Sequence, residues 1–196
     1  MNRIRLVLMM GVLLGLAAGC NDGSTTSAQF AASNTPATPG LIKLGQASVS
    51  GTRVVVDVLL FGPEPDLDLY ASRFGIRIAD PSSVRFVPQA TYVQSALVAS
   101  DGQTIRISVD GSDPALVEVE TVKQGGGAGN GFTSPAAVLI ELTFEVLGSG
   151  GSTLSFSGLD GNPPQALDSG RQPLGGVRFD TQGASVVAVT TAGGGY

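Results

Sequence analysis

Three pairs of hard-oxygen side chains sit where the sequence turns: Asp66 with Asp68, Asp110 with Asp113, and Asp160 with Asn162. Carboxylates and amides on turns suit a calcium ion. The same residue types also hold the backbone amides of their own turns, so turn chemistry is expected, with calcium as the alternative and no cofactor. Catalysis has little to draw on. Histidine is absent from all 196 residues, which removes the commonest general base and the commonest transition-metal ligand. The glycine-rich stretch 125–131 lacks the strand-then-helix setting of a phosphate cradle, and no spacing among the acids singles out a glycosidase pair. The expected chemistry is recognition, not reaction, and the chain is not expected to be an enzyme.

The formal charge is −5, and lysine occurs only at Lys43 and Lys123. Without Arg3 and Arg5 near the N-terminus, nine basic residues face sixteen acidic ones, a net −7. Such a chain is a poor counterion for phosphate, so no nucleic-acid partner is expected.

Met1 to Arg5 is basic, Leu6 to Leu14 apolar, and Leu16-Ala17-Ala18-Gly19 places small residues before Cys20. The apolar run is shorter than the roughly 20 residues that span a bilayer, and the pattern reads as a secretory signal over 1–19. Cys20 is the only cysteine, so no intrachain disulfide claims it. Leu16 to Cys20 resembles a bacterial lipobox, which implies lipid on the Cys20 thiol and cleavage just before it. The expectation is an exported protein held in the cell envelope through its N-terminal lipid alone. Asn21, where an inner-membrane retention signal would have Asp, tips this toward the outer membrane. Residues 20–40, rich in Ser, Thr, Ala and Pro with Phe30 the one aromatic, read as a flexible tether.

Residues 41–190 read as one domain, organised around residues 69–87. Tyr70, Phe74, Ile76 and Ile78 alternate with Arg73, Gly75 and Arg77, the period of a strand with one dry face. Asp80-Pro81 ends that strand, with the Asp80 carboxylate placed to accept from Ser82 or Ser83, and Val84 to Phe86 begin another. Alternation also predicts strands at 41–44, 53–60, 104–109, 137–147, 153–157, 177–179 and 185–189. Val117, Val119 and Val122 suggest a short additional one. Gly125 to Gly131 reads as a flexible excursion or a loop ordered only by a partner, and the C-terminal residues, 191–196, as a frayed tail. Strands at this spacing, joined by glycine turns and free of helical periodicity, predict an all-β antiparallel sandwich of about eight or nine strands.

The order of these elements resembles the cohesin domain and related carbohydrate-binding modules of jelly-roll topology. Gly51-Thr52-Arg53-Val54-Val55-Val56-Asp57-Val58, Leu69 to Val87, Ala137 to Val146 and Ser152 to Asn162 carry the resemblance. Asp113 to Gly131 and the region from Pro163-Pro164 to Pro173 depart from it as apparent insertions. The resemblance implies that one sheet face receives a dockerin, a calcium-binding helical module on another protein. It places Arg73, Arg77, Thr104, Arg106, Glu141, Thr143 and Glu145 together on that face. A solvated face laced with Arg-Glu pairs is the alternative for the same residues. Direct polysaccharide binding is a second functional reading, with Tyr70, Tyr92, Tyr196, Phe61 and Phe132 as its candidate aromatics. A structural envelope lipoprotein is a third.

Overall fold

Alternation decides the architecture. In the computed structural model, which describes residues 24–62, 64–97 and 103–192, fourteen strands run along the described chain: β1 (Thr25–Ala31), β2 (Leu41–Ser50), β3 (Arg53–Phe61), β4 (Glu64–Leu69), β5 (Ala71–Ile78), β6 (Val84–Val87), β7 (Thr104–Asp113), β8 (Leu116–Gln124), β9 (Asn130–Phe132), β10 (Ala136–Val146), β11 (Gly151–Ser157), β12 (Gln165–Leu167), β13 (Arg178–Phe179) and β14 (Ala184–Thr191). A larger sheet has the order β1-β14-β11-β5-β8-β7, with β12 also paired to β5, and a smaller one the order β13-β2-β3-β10-β6. Strands β4 and β9 make a separate two-stranded ribbon. Pairing is antiparallel except between β13 and β2. The all-β sandwich is as expected, and the strands beyond eight or nine are chiefly short ones.

Val54, Val56, Val58 and Leu60 of β3 face Phe74, Ile76 and Ile78 of β5 across one buried core. Burial of each such side chain contributes about 1.5–3 kcal/mol. Phe74 also ties the two layers together: its ring lies 5.6 Å from Phe156 of its own sheet and 5.6 Å from Phe179 of the other. Asp80 behaves as its sequence predicts, accepting from the Ser82 amide at 3.0 Å and from the Ser82 and Ser83 hydroxyls.

Four expectations need correction. The tether ends earlier than residue 40, because Thr25–Ala31 pairs residue by residue with β14 and buries Ala28 and Phe30. Pro36 and Pro39 lie beyond β1, in the connection to β2. That connection is itself held. Asp180 accepts from the Ser33 and Thr35 hydroxyls, and Lys43 Nζ donates to the Ser33 and Thr35 carbonyls at 2.7 and 2.6 Å. Burial pushes the Asp180 carboxyl up, but the Ser33 hydroxyl, the Gln182 amide, the Thr35 hydroxyl and the Lys43 charge more than offset it and leave it below the usual range.

At the other end, Thr191 belongs to β14 instead of a frayed tail. Leu116–Gln124 is a full inner strand, longer than the short additional one expected, bonded to β5 on one side and β7 on the other. Its inward face is Val117, Val119, Thr121 and Lys123, while Val122 points the other way. Finally, strict alternation over 137–147 would turn Val138 inward with Ile140, but a bulge at Val138–Ile140 shifts the register of β10, so Ala137 and Leu139 are buried and Val138 is not.

The glycine stretch 125–131 has partners within the chain. Lys123, 2% exposed, donates to the Ala128 carbonyl at 3.0 Å and the Asn130 side chain at 2.9 Å. Gly129 donates its amide to Asp68, and a Cβ there would sit 2.3 Å from the Asp68 carbonyl carbon. The signal at 1–19, Cys20 and Tyr196 lie outside the described residues.

Candidate partner-binding face

The seven residues expected on one face divide between two sheets. Arg73 and Arg77 project from β5, and Thr104 and Arg106 from β7, all on the outer side of the larger sheet. Glu141, Thr143 and Glu145 project from β10, on the outer side of the smaller sheet. The grouping is therefore corrected: both sets point outward, but the shared core lies between them.

On the smaller sheet these side chains are engaged locally. Glu145 accepts from Arg85 Nε at 2.9 Å and lies 3.5 Å from Arg53 Nε. The Arg85 bond, joined by the charges of Arg85 and Arg53, holds its carboxyl below the usual range against an opposing effect of burial. Thr143 hydrogen-bonds the Gln89 amide. Glu141 is directly opposite Asp57 of β3, and Asp57 Oδ1 is buried without a hydrogen-bond partner. Burial, and then the Glu141 charge, push the Asp57 carboxyl above its ordinary value of 3.8.

A carboxyl raised in the folded state favours folding most when protonated, and that contribution is lost as pH rises through the raised value. Asp57→Asn is therefore expected to stabilise the protein at pH 7 by about 0.5–1 kcal/mol, the scale of a relieved like-charge cross-strand pair. The advantage should shrink as pH falls toward 4, measured by urea unfolding at several pH values. Equal or lower stability at pH 7 would contradict the assignment.

The face that remains is built by β11, β5, β8 and β7. Strand register gives its rows: Gln165, Arg73, Glu120 and Ser108 in one, Ser157, Gly75, Glu118 and Asp110 in the next, and Ser155, Arg77 and Leu116 beyond. Arg73 is opposite Glu120 but turns to Asp160 in the loop after β11, and Arg106 takes Glu120 at 2.8 Å. Arg77, on the same strand as Arg73, makes no ion pair with a described residue. Leu116 and Leu159 close over Gly75, where a Cβ would come within 2.8 Å of Leu116 Cδ1. Sequence reading missed Glu118 and Glu120, because Thr121 and Lys123 on the buried side of β8 hide its alternation.

Asp110 and Asp113 are occupied by their own turns, and Asp68 by two loops distant in sequence. Asp110 accepts from the Ser112 amide at 2.8 Å, Asp113 from the Ala115 amide at 2.8 Å, and Asp68 from Gly129 and Ser169. Among the candidate aromatics, Tyr92 and Phe132 pack against the core, and Tyr70 lines a cleft at one end of the face.

With two sheets, a parallel β13-β2 pair and this face defined, known structures provide a comparison. A type II cohesin domain from the cellulosome of Acetivibrio cellulolyticus matches 78% of this chain and 95% of its own, with TM-score 0.50 and 12% identity. The fold is cohesin-like. The sixth cohesin of scaffoldin B from the same organism, solved in complex with a mutant Cel5 dockerin, matches 82% of this chain and 96% of its own, with TM-score 0.50 and 18% identity. No protein-family model and no curated protein sequence matches the chain. The likeness is one of fold.

Proposed function

We propose that this cohesin-like chain is a noncatalytic binding module that presents the outer face of its larger sheet to a dockerin-type protein partner. The observation that carries the reading is the open β11-β5-β8-β7 face on a fold shared with cohesins. Its broad, mixed-charge surface suits a protein better than a small substrate, and Arg77, in the end row with Ser155 and Leu116, makes no ion pair with a described residue. Arginine is among the residues that dominate interface energetics. We further propose export, lipidation at Cys20 and residence in the envelope at the outer membrane, on the strength of residues 1–20.

The test immobilises the chain from residue 21 as bait against the source organism's envelope and secreted proteins. Retention of a protein with a duplicated calcium-binding helical motif, lost with chelator, is the expected result. Retention of no protein would overturn the reading. Arg77→Glu is expected to weaken that retention by about 2 kcal/mol, roughly thirtyfold, while Glu145→Gln on the opposite sheet leaves it unchanged. Equal loss in both variants would move the interface off this face. For the anchor, Cys20→Ser should shift the protein from the membrane to the soluble fraction, and intact-mass measurement should show the acyl addition disappear.

A further inference from the structure

At one end of the partner face, with which it shares Arg106 and Glu120, a cleft of about 700 Å³ lies where β5, β8 and β7 meet the loop after β12. Tyr70, Arg106, Glu120, Gln124, Ser169 and Arg171 supply its side-chain chemistry, and Gly125 and Gly126 part of its backbone wall. Two cations, Arg106 and Arg171, meet one carboxylate there, in a chain whose net charge is −5. Lys123 adds no charge to the cleft, because its ammonium is turned to the buried side of β8, to the Ala128 carbonyl and Asn130. Arg106 is already matched, paired with Glu120 at 2.8 Å.

Arg171 is different. It makes no ion pair with a described residue, and its backbone sits at φ 61, a left-handed conformation unfavourable for a side chain of its kind. The Asp168 turn enforces that conformation. The Arg171 amide donates to the Asp168 carbonyl at 2.9 Å, and the Gln172 amide donates to the Asp168 carboxylate at 2.8 Å. Across the cleft, the half-buried Tyr70 offers a ring and a hydroxyl for which no partner is found among the described residues.

We infer that this cleft binds an acidic saccharide, with Arg171 taking the carboxylate of a uronic acid and Tyr70 lying against the sugar ring. The planar guanidinium matches a carboxylate in bidentate fashion. The Arg106-Glu120 pair and Gln124 place donors and acceptors side by side, as vicinal hydroxyls require. An extended acidic peptide fits less well. β5 and β8, which supply most of the floor, are inner strands with neighbours on both sides, so a peptide could add as a strand only along β7, which contributes Arg106 alone to the cleft.

Isothermal titration of the full chain with trigalacturonate, galactotriose and hexaglutamate tests the assignment. Trigalacturonate is expected to bind, more weakly as salt rises, and galactotriose to bind at least tenfold less tightly. Arg171→Ala should weaken trigalacturonate at least tenfold and Arg171→Lys by less. Arg77→Ala should leave it unchanged, so the cleft and the partner face are read separately. Melting temperatures of the variants within a few degrees of the parent confirm that the fold is intact. The inference is overturned if trigalacturonate does not bind, if the neutral sugar binds equally, if hexaglutamate binds as tightly at the same residues, or if Arg171→Ala has no effect.

Discussion

A chain that starts at residue 36 is expected to lose most of its stability relative to one that starts at residue 24. The shorter chain lacks β1 and with it Phe30 and Ala28, which are 9% and 5% exposed within the shared core. A buried phenylalanine alone is worth about 3–5 kcal/mol on truncation. Loss of Ser33 and Thr35 also strips Asp180 of two donors and Lys43 of two acceptors. Together the deletion should cost at least 5 kcal/mol, which is comparable to the whole stability of an ordinary domain. It also bares β14 as an edge bearing Val187 and Val189, an aggregation hazard. Urea unfolding of the two chains checks this, and midpoints that coincide would show that β1 is dispensable.

Lys123→Met is the second large effect. Methionine matches the length and much of the volume of lysine but leaves the Ala128 carbonyl and the Asn130 side chain without their buried donor. It also removes the cation beside Asp68. The expected loss is about 3 kcal/mol, the range for breaking a buried charged contact and orphaning its partners. The pH dependence gives an independent sign. The Ser169 hydroxyl, followed by the Ser169 and Gly129 amides and the Lys123 charge, holds the Asp68 carboxyl below 3.8 against its partial burial. Its contribution is therefore present above that value and lost as pH falls through the depressed one. In Lys123→Met this acid-labile contribution should shrink, and amide exchange at residues 128–130 should accelerate. A variant with parental stability and parental exchange would mean that the glycine loop is held by something else.

The sequence showed what lay in and out along a strand, but not which sheet that strand joined. Alternation at 53–60, 71–78 and 104–109 marks inward residues correctly because one side of each strand is solvated. Arg73 and Glu145 both read as outward, and both are. Only the long-range pairing of β10 with β3 and of β5 with β8 reveals that they lie on opposite sides of the sandwich. β8 escaped because two of its buried side chains are polar: Thr121 shares a 2.7 Å hydroxyl contact with Ser72, and Lys123 is satisfied by a loop that follows it. β1 escaped because Ser, Thr, Ala and Gln make a strand only when β14 supplies the ladder. Turn chemistry, by contrast, is local, and Asp80 could be read directly.

The position of β1 changes the mechanics of attachment. Thr25 is five residues past Cys20, and an extended chain covers at most about 18 Å over five residues. With lipid on Cys20, the sandwich would ride close against the headgroups on a short leash instead of swinging on a long one. β1 and β7 are the opposite edges of the larger sheet, five strand spacings or about 24 Å apart. The sheet itself would then be the stalk, a stiff spacer whose width sets how far from the bilayer a partner is met.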